Sequence, residues 1–353
     1  MPDVTTINST APNPANGGML PSLGRLVRRP EAGSLLGMVA VFIFFAVAAG
    51  ELFVSPSGFA SWLNVAAEIG IVALPIGLLM IAGELDLSIG AIIPASSLTV
   101  AVISGYYHAP EVVGIVAALG MGLLVGFVNG SLVTRMQVPS LILTIGTMFA
   151  LMGLTLGFSV LLTGATSTAI VPSDTSKALL GQFIGGMFQV TIFWWIGATL
   201  VTFYLLHVSP FGNWVFAMGG DRVAARNAGI PTDRLTITLY MLSGLAAAFI
   251  GVSQAMVYGT AQVVGGQSFI FNSIMCVVIG GVLLTGGFGS VIGIVFGTIT
   301  FAMANQGVYF TGFDANLGSV IIGALLLIAV LTNDSFRHMA ISYSSKKSKA
   351  GVP

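Results

Sequence analysis

Gly219-Gly220-Asp221-Arg222-Val223-Ala224-Ala225-Arg226-Asn227-Ala228-Gly229-Ile230 is a polar, basic segment set among long apolar runs, and that contrast decides the fold class. On both sides of it the chain turns apolar for roughly twenty residues at a time, the length that crosses a hydrocarbon core about 30 Å thick. Ten such spans are predicted, at 34–54, 62–82, 88–107, 112–134, 138–163, 187–208, 235–258, 268–285, 290–310 and 316–333. Composition agrees: 56% of the residues are hydrophobic and 7% are charged, too few polar groups to clothe a soluble surface. The fold class read from this is an all-α polytopic membrane protein of about ten transmembrane helices, with broken or re-entrant elements and both termini cytoplasmic.

Orientation follows from lysine and arginine, which cytoplasmic loops retain. With an even number of spans, Arg25, Arg28, Arg29, Arg135, Arg222, Arg226, Arg234, Arg337, Lys346, Lys347 and Lys349 fall on one side and Lys177 on the other. The predicted organisation is a disordered cytoplasmic tail at 1–33, too polar for a signal peptide, a transmembrane domain at 34–333, and a basic cytoplasmic tail at 334–353. Forty-six glycines suit a helical bundle in lipid, where small residues let backbones approach. The single cysteine, Cys276, excludes an internal disulfide and a cysteine metal site.

A charge at membrane depth costs about 2.5–3.5 kcal/mol at a helix centre, so each one needs a reason. Glu68 lies in the second span. Glu84 and Asp86 stand in Gly83-Glu84-Leu85-Asp86-Leu87-Ser88-Ile89-Gly90, where a glycine ends one helix, Ser88 is placed to cap the next and Asp86 favours its positive end. Two readings remain open for that block: a capped tight turn, or a broken-helix element lining a polar cavity. In the 209–234 loop, Val223 to Ala228 is alanine-rich and predicted helical, begun by Asp221 and stopped by Gly229 and Pro231. So short a helix is unstable alone and must dock, either on its own bundle or on a partner. An interfacial helix whose arginines touch anionic lipid is the alternative. His108, His207 and His338 fall near predicted interfaces, and no glycine-rich loop ending in Lys-Ser or Lys-Thr is present to cradle phosphates. No catalytic set and no metal-ligand set is read, and zero net charge carries no signal for nucleic acid.

Three blocks of the chain resemble the permeases of ATP-binding cassette (ABC) importers for ribose, xylose, arabinose, galactose and related compounds. GELDLSIG at Gly83 to Gly90 is similar to that family's GGIDLSVG; GDRVAARNAGI at Gly220 to Ile230 to its G-x-N-x-x-A-A-R-x-A/S-G-I; and IGGVLLTGGFGSVIG at Ile279 to Gly293 to its VLGGTSLSGGRGSVIG-like stretch. Asn129-Gly130, Val138-Pro139-Ser140 and Thr144 are smaller echoes.

The resemblance implies a pathway of two permease copies, or a copy and a paralogue, in a bacterial inner membrane. Cytoplasmic ABC ATPases would hold ATP and Mg, this chain binding no cofactor itself, and an extracytoplasmic binding protein would deliver a small neutral sugar. It implies that Gly220, Arg222, Ala224, Ala225, Arg226, Gly229 and Ile230 couple to the ATPase. It also marks Glu84, Asp86, Ser88, Asn129, Thr144, Gly286, Gly287 and Gly289 as pathway or gate candidates, with Ser96, Ser97 and Thr147 as further hydroxyls suited to a sugar. The chain departs from the pattern where Glu84 replaces a glycine, Arg222 an asparagine, and Phe288 an often basic residue. The alternative function is an ion- or proton-coupled secondary transporter, which calls for intramembrane acid and histidine relays in which this chain is poor.

Overall fold

The computed structural model describes residues 31–312 apart from Gln137, with isolated helical positions between 320 and 327. Most of the expected span 316–333 and nearly all of both expected tails lie outside the described residues.

Among the described residues, seven helices are long and apolar enough to cross a membrane and two more are apolar but shorter. The chain begins with α1 (Ala32–Ala48) and breaks at Gly50. It then enters α2 (Pro56–Ile81), with Pro56 at its first position and the Ser55 hydroxyl accepting the Gly58 N–H at 3.1 Å. α3 (Ile89–Val100) continues as a π-helical turn to Tyr106. α4 (Glu111–Arg135), α5 (Ser140–Thr163) and α6 (Thr191–Phe203, continued to Val208) follow. Next come the short α7 (Pro210–Gly220) and α8 (Arg222–Asn227), then α9 (Thr232–Tyr258), α10 (Gln267–Ile279) and α11 (Val291–Phe310).

Helix α2 is the axis of the bundle. In its most apolar stretch 83% of the residues are buried, against 17% in α5, whose outer face shows Phe149 and Leu161. Exposed leucine and phenylalanine of that kind fit a lipid solvent rather than water. α4 and α9 run antiparallel and touch along Gly122, Gly126 and Gly130. A Cβ on Gly126 would lie 2.3 Å from the Tyr240 carbonyl oxygen, so any side chain there would force the helices apart.

This antiparallel pair gives the bundle two ends. One carries Arg135, Arg222, Arg226 and Arg234; at the other, Leu180 next to the Lys177 turn accepts from Ser253 near the far end of α9. The arginine-bearing end and the opposite end serve as the frame below.

Sequence and structure differ at several element bounds. α2 starts at Pro56, six residues before the expected 62. The expected span 268–285 is helical only through Ile279, because Gly281, Gly286, Gly287 and Gly289 carry φ values of 87°, 82°, 75° and 159° and the chain to Ser290 is irregular. Part of the expected loop 209–234 is α7, started by Ser209-Pro210. At the opposite end the strand β1 (Ser167–Ala169) pairs antiparallel with the later Thr260–Gln262, and a tight hairpin joins β2 (Phe183–Ile184) to β3 (Phe188–Gln189).

Helices α3 and α10 both begin inside the bundle. Ser243, which bonds Asp86, is eleven residues into α9, roughly 16 Å from its start; Gly251, which packs on Ile93, is roughly 28 Å from it. The chain before α3 therefore climbs without helix from the arginine-bearing end to mid-depth. The chain before α10 descends from the opposite end to the same level. There they meet: a Cβ on Gly266 would lie 2.2 Å from the Gly90 carbonyl oxygen.

Candidate functional site: a joint between the basic segment and a broken helix

The basic segment is the helix that its residues foretell. The Asp221 carboxylate accepts the N–H groups of Val223 and Ala224 at 2.9 and 3.0 Å, closing the start of α8. At its end Gly229 takes φ 85°, with its N–H on the Arg226 carbonyl and the Ile230 N–H on that of Ala225, a Schellman closure. α2 ends the same way, with Gly83 at φ 84° and the Glu84 N–H reaching the Leu79 carbonyl.

Both arginines of α8 find carboxylates on this chain. Arg222 Nη1 donates to Glu84 Oε1 at 2.5 Å, and its Nη2 donates to Thr236 Oγ1 at 3.2 Å and lies 3.8 Å from Asp233. Arg226 pairs with Asp233 and bonds Thr232 Oγ1. The Glu84 side chain is 10% exposed and that of Arg222 35%, so this pair is shielded more than a surface bridge. Glu84 and Arg222, two of the three departures from the family pattern, are thus bonded to each other.

From Glu84 the chain rises without helical structure, and such a segment in a bilayer must find partners for its backbone. Side chains of two helices, α5 and α9, supply them. The Leu85 N–H donates to Ser140 Oγ and the Leu87 N–H to Thr144 Oγ1, both at 3.2 Å, while the Tyr240 hydroxyl donates to the Leu85 carbonyl at 2.9 Å. Asp86 is buried. Its Oδ1 accepts the Ser88 N–H at 2.9 Å and the Ser88 hydroxyl at 2.6 Å, and its Oδ2 accepts the Ser243 hydroxyl at 2.8 Å. Asn129 Nδ2 donates to Ser88 Oγ at 2.8 Å. Ser88 stands at the α3 N-cap as its sequence position implies, but it makes no side-chain cap bond, because its hydroxyl is turned back to Asp86.

The third block closes the joint. The Gly287 N–H donates to the Ile81 carbonyl at 2.8 Å. A Cβ on Gly219 would lie 1.8 Å from that same oxygen and 2.5 Å from Gly287 N, and one on Gly286 would lie 2.9 Å from the Gly219 carbonyl. Backbone therefore lies directly on backbone where the ends of α2 and α7 meet the 280–290 loop.

The sequence-derived candidates divide accordingly. Glu84, Asp86, Ser88, Asn129 and Thr144 converge on one non-helical segment; Gly220, Gly286 and Gly287 adjoin it; Gly289 packs on Ile81 and Val282. Of the coupling candidates, Ala225 is buried and Arg222 is turned inward, whereas Ala224, Arg226 and Gly229 are exposed and Ile230 is half-buried. Val223, 70% exposed, and Asn227 and Ala228 beside it were not singled out by sequence, although an apolar valine in a basic loop is a signal of contact. Ser140, Tyr240 and Ser243 were missed as anchors of the rising segment. Ser96 and Thr147 bond carbonyls of their own helices. Among the described residues no group of three His, Cys, Asp or Glu side chains is placed to hold a metal ion. Arg222 and the glycine contacts thus tie α8 directly to the broken helix.

Residues 58–330 match the family model described as the branched-chain amino acid transport system / permease component. The fructose import permease protein FrcC of Rhizobium meliloti is 32% identical over 88% of this chain and 87% of that one. The xylose/arabinose import permease protein XylH of Sulfolobus acidocaldarius is 29% identical over 92% of each, and the ribose import permease protein RbsC of Bacillus subtilis 30% identical over 85% and 92%. A chain of the structure titled PsaBC from Streptococcus pneumoniae in complex with Fab aligns over 84% of this chain and 94% of that one, at 21% identity and a TM-score of 0.45. With most of its length matched by the family model and by a relative above 30% identity, and with all three motif blocks built into one joint, this multi-pass membrane chain belongs to the branched-chain amino acid transport system permease family.

Proposed function

We propose that this chain is the pathway subunit of an ABC importer in a bacterial cytoplasmic membrane, moving a small neutral sugar or related polyol by ATP-driven alternating access. The relatives just described are import permeases for fructose, xylose/arabinose and ribose, which supports the substrate class. A second permease copy or a paralogue completes the pathway, separate ATPase subunits hold ATP and Mg, and an extracytoplasmic protein delivers the sugar.

The single observation that carries the mechanism is the Arg222–Glu84 bond, which ties the basic helix to the non-helical segment that rises from the arginine-bearing end to mid-depth. ATP binding that moves the ATPases moves α8, and the broken helix follows. A bound nucleotide shifts this equilibrium only by binding one arrangement more tightly than the other, so the link must be stiff to carry that difference. The short α8, capped at both ends and bonded on its inner side, meets that need.

The exposed face of α8, with Val223 at its centre, is the surface offered to the ATPase. Val223→Asp is expected to leave the permease folded in the membrane and to abolish co-purification with its ATPase subunits. Retention of the ATPase together with undiminished ATP-dependent uptake would sink the reading.

A further inference from the structure

Most hydroxyls in the bundle are already committed. Ser96, Thr99, Ser273, Thr298 and Thr300 each donate to a carbonyl one turn back in their own helix. A different situation holds at the opposite end. There a cavity of about 180 Å³ is lined by Ser97, Gln254, Tyr258, Thr260 and Gln262 together with Val264–Gly266. Across that same loop a second cavity, of about 270 Å³, runs past Met152, Gln267 and Ser268 down to Gly90. The two share Pro94 and the loop, and between them they extend from the end of α9 to the mid-depth meeting point of α3 and α10.

The chemistry of the first cavity is that of an uncharged hydrogen-bonding solute. The side chains of Ser97, Tyr258, Thr260 and Gln262 make no hydrogen bond among the described residues. Gln254 makes one, its Nε2 donating to Glu68 Oε2 at 3.1 Å; that bond fixes the amide and leaves its carbonyl oxygen to accept from another donor. Glu68 backs Gln254 rather than lining the space, and among the described residues no Lys, Arg or His lines either cavity. An anion entering there would lose hydration without meeting a counter-charge. A sugar offers hydroxyls that both donate and accept, and a ring face that can lie against the Tyr258 phenol.

We propose that this chain itself holds a subsite for a neutral polyhydroxyl solute in these two cavities, contacted by Ser97, Gln254, Tyr258 and Gln262, which selects neutral sugars over acidic ones before the solute reaches mid-depth. The subsite rests on the sugar-importer reading above and adds that the permease, not only the delivering protein, recognises the cargo.

The lone cysteine gives a direct test, because Cys276 is fully buried and its replacement by alanine leaves a background into which one reporter can be placed. In the reconstituted permease–ATPase assembly, Gln262→Cys, with Tyr258→Cys as a second reporter, is labelled by a membrane-impermeant maleimide in the presence of xylose, ribose, fructose or glucuronate. At ten times the Kd a sugar is expected to slow labelling about tenfold by occupancy alone, and glucuronate to leave it unchanged. Adding Gln254→Ala to the Gln262→Cys reporter is expected to raise the half-protecting concentration about five- to tenfold. If the assembly imports one of the three sugars while none of them protects either reporter, or if glucuronate protects equally, the subsite is wrong and the transport reading stands. If the assembly imports none of the three, the sugar reading fails and the subsite falls with it.

Discussion

At the arginine-bearing end, backbone lies on backbone so closely that a methyl group on Gly219 would sit 1.8 Å from a carbonyl oxygen; at the opposite end, Gln262 and Tyr258 face open space with their hydrogen-bonding groups uncommitted among the described residues. On the function and subsite proposed above, one end transmits force and the other receives a molecule. The same glycine-rich composition serves both. In the joint it removes side chains so that three segments interlock, and in the cavities Gly265, at φ 139°, bends the loop that divides them.

This contrast is open to attack by substitution. The largest expected effect is at Gly219: Gly219→Val must displace the α2 end or the 286–287 backbone, at a cost of about 3 kcal/mol or more. It should appear as loss of the monodisperse detergent-solubilised protein, and normal thermal unfolding would show that the joint is looser than described. Next is Ser243→Ala, which strips the Oδ2 atom of buried Asp86 of its donor and is expected to cost about 1–3 kcal/mol in thermal or denaturant unfolding.

The Arg222–Glu84 bond is partly screened, so Glu84→Ala or Arg222→Ala alone is expected to cost about 1–2 kcal/mol. The pair Glu84→Gly with Arg222→Asn, which writes the family pattern at both positions, should be less destabilised than the sum of its single changes. Strict additivity in that double-mutant cycle would mean that the two residues do not act together. The smallest effect is expected in the cavity, where Gln262→Ala should shift stability by less than about 0.5 kcal/mol. A large loss of stability there would make Gln262 a structural residue and erase the distinction between the two ends.

Much of this was legible from residues alone. Periodic apolar length marked the described spans, and Asp221, Gly229 and Pro231 marked α8 because capping is local chemistry. Gly83 was read as a helix end for the same reason. The Glu84–Arg222 contact was not legible: each residue stood out singly, but pairing across 138 positions is set by tertiary packing. The non-helical course of 280–290 was hidden because Val282, Leu283 and Leu284 are as apolar as any helix, and hydropathy does not register positive φ. Tyr240 and Ser243 gave no sign either, since hydroxyls in membrane helices commonly bond their own turn, as Ser96 and Thr298 do here.

The partners of the rising segment also carry a timetable. Asp86 and Leu85 leave the ribosome 157 and 155 positions before Ser243 and Tyr240, which at a synthesis rate of about 5–20 residues per second is a wait of about 8–30 s. For that interval an acidic, non-helical stretch has been made without its bonds to Tyr240 and Ser243. Insertion of the nascent chain must therefore hold Leu85 to Leu87 outside the hydrocarbon, or shield it there, until α9 is complete. The rising segment is consequently completed only after every helix from α3 to α9 has been translated.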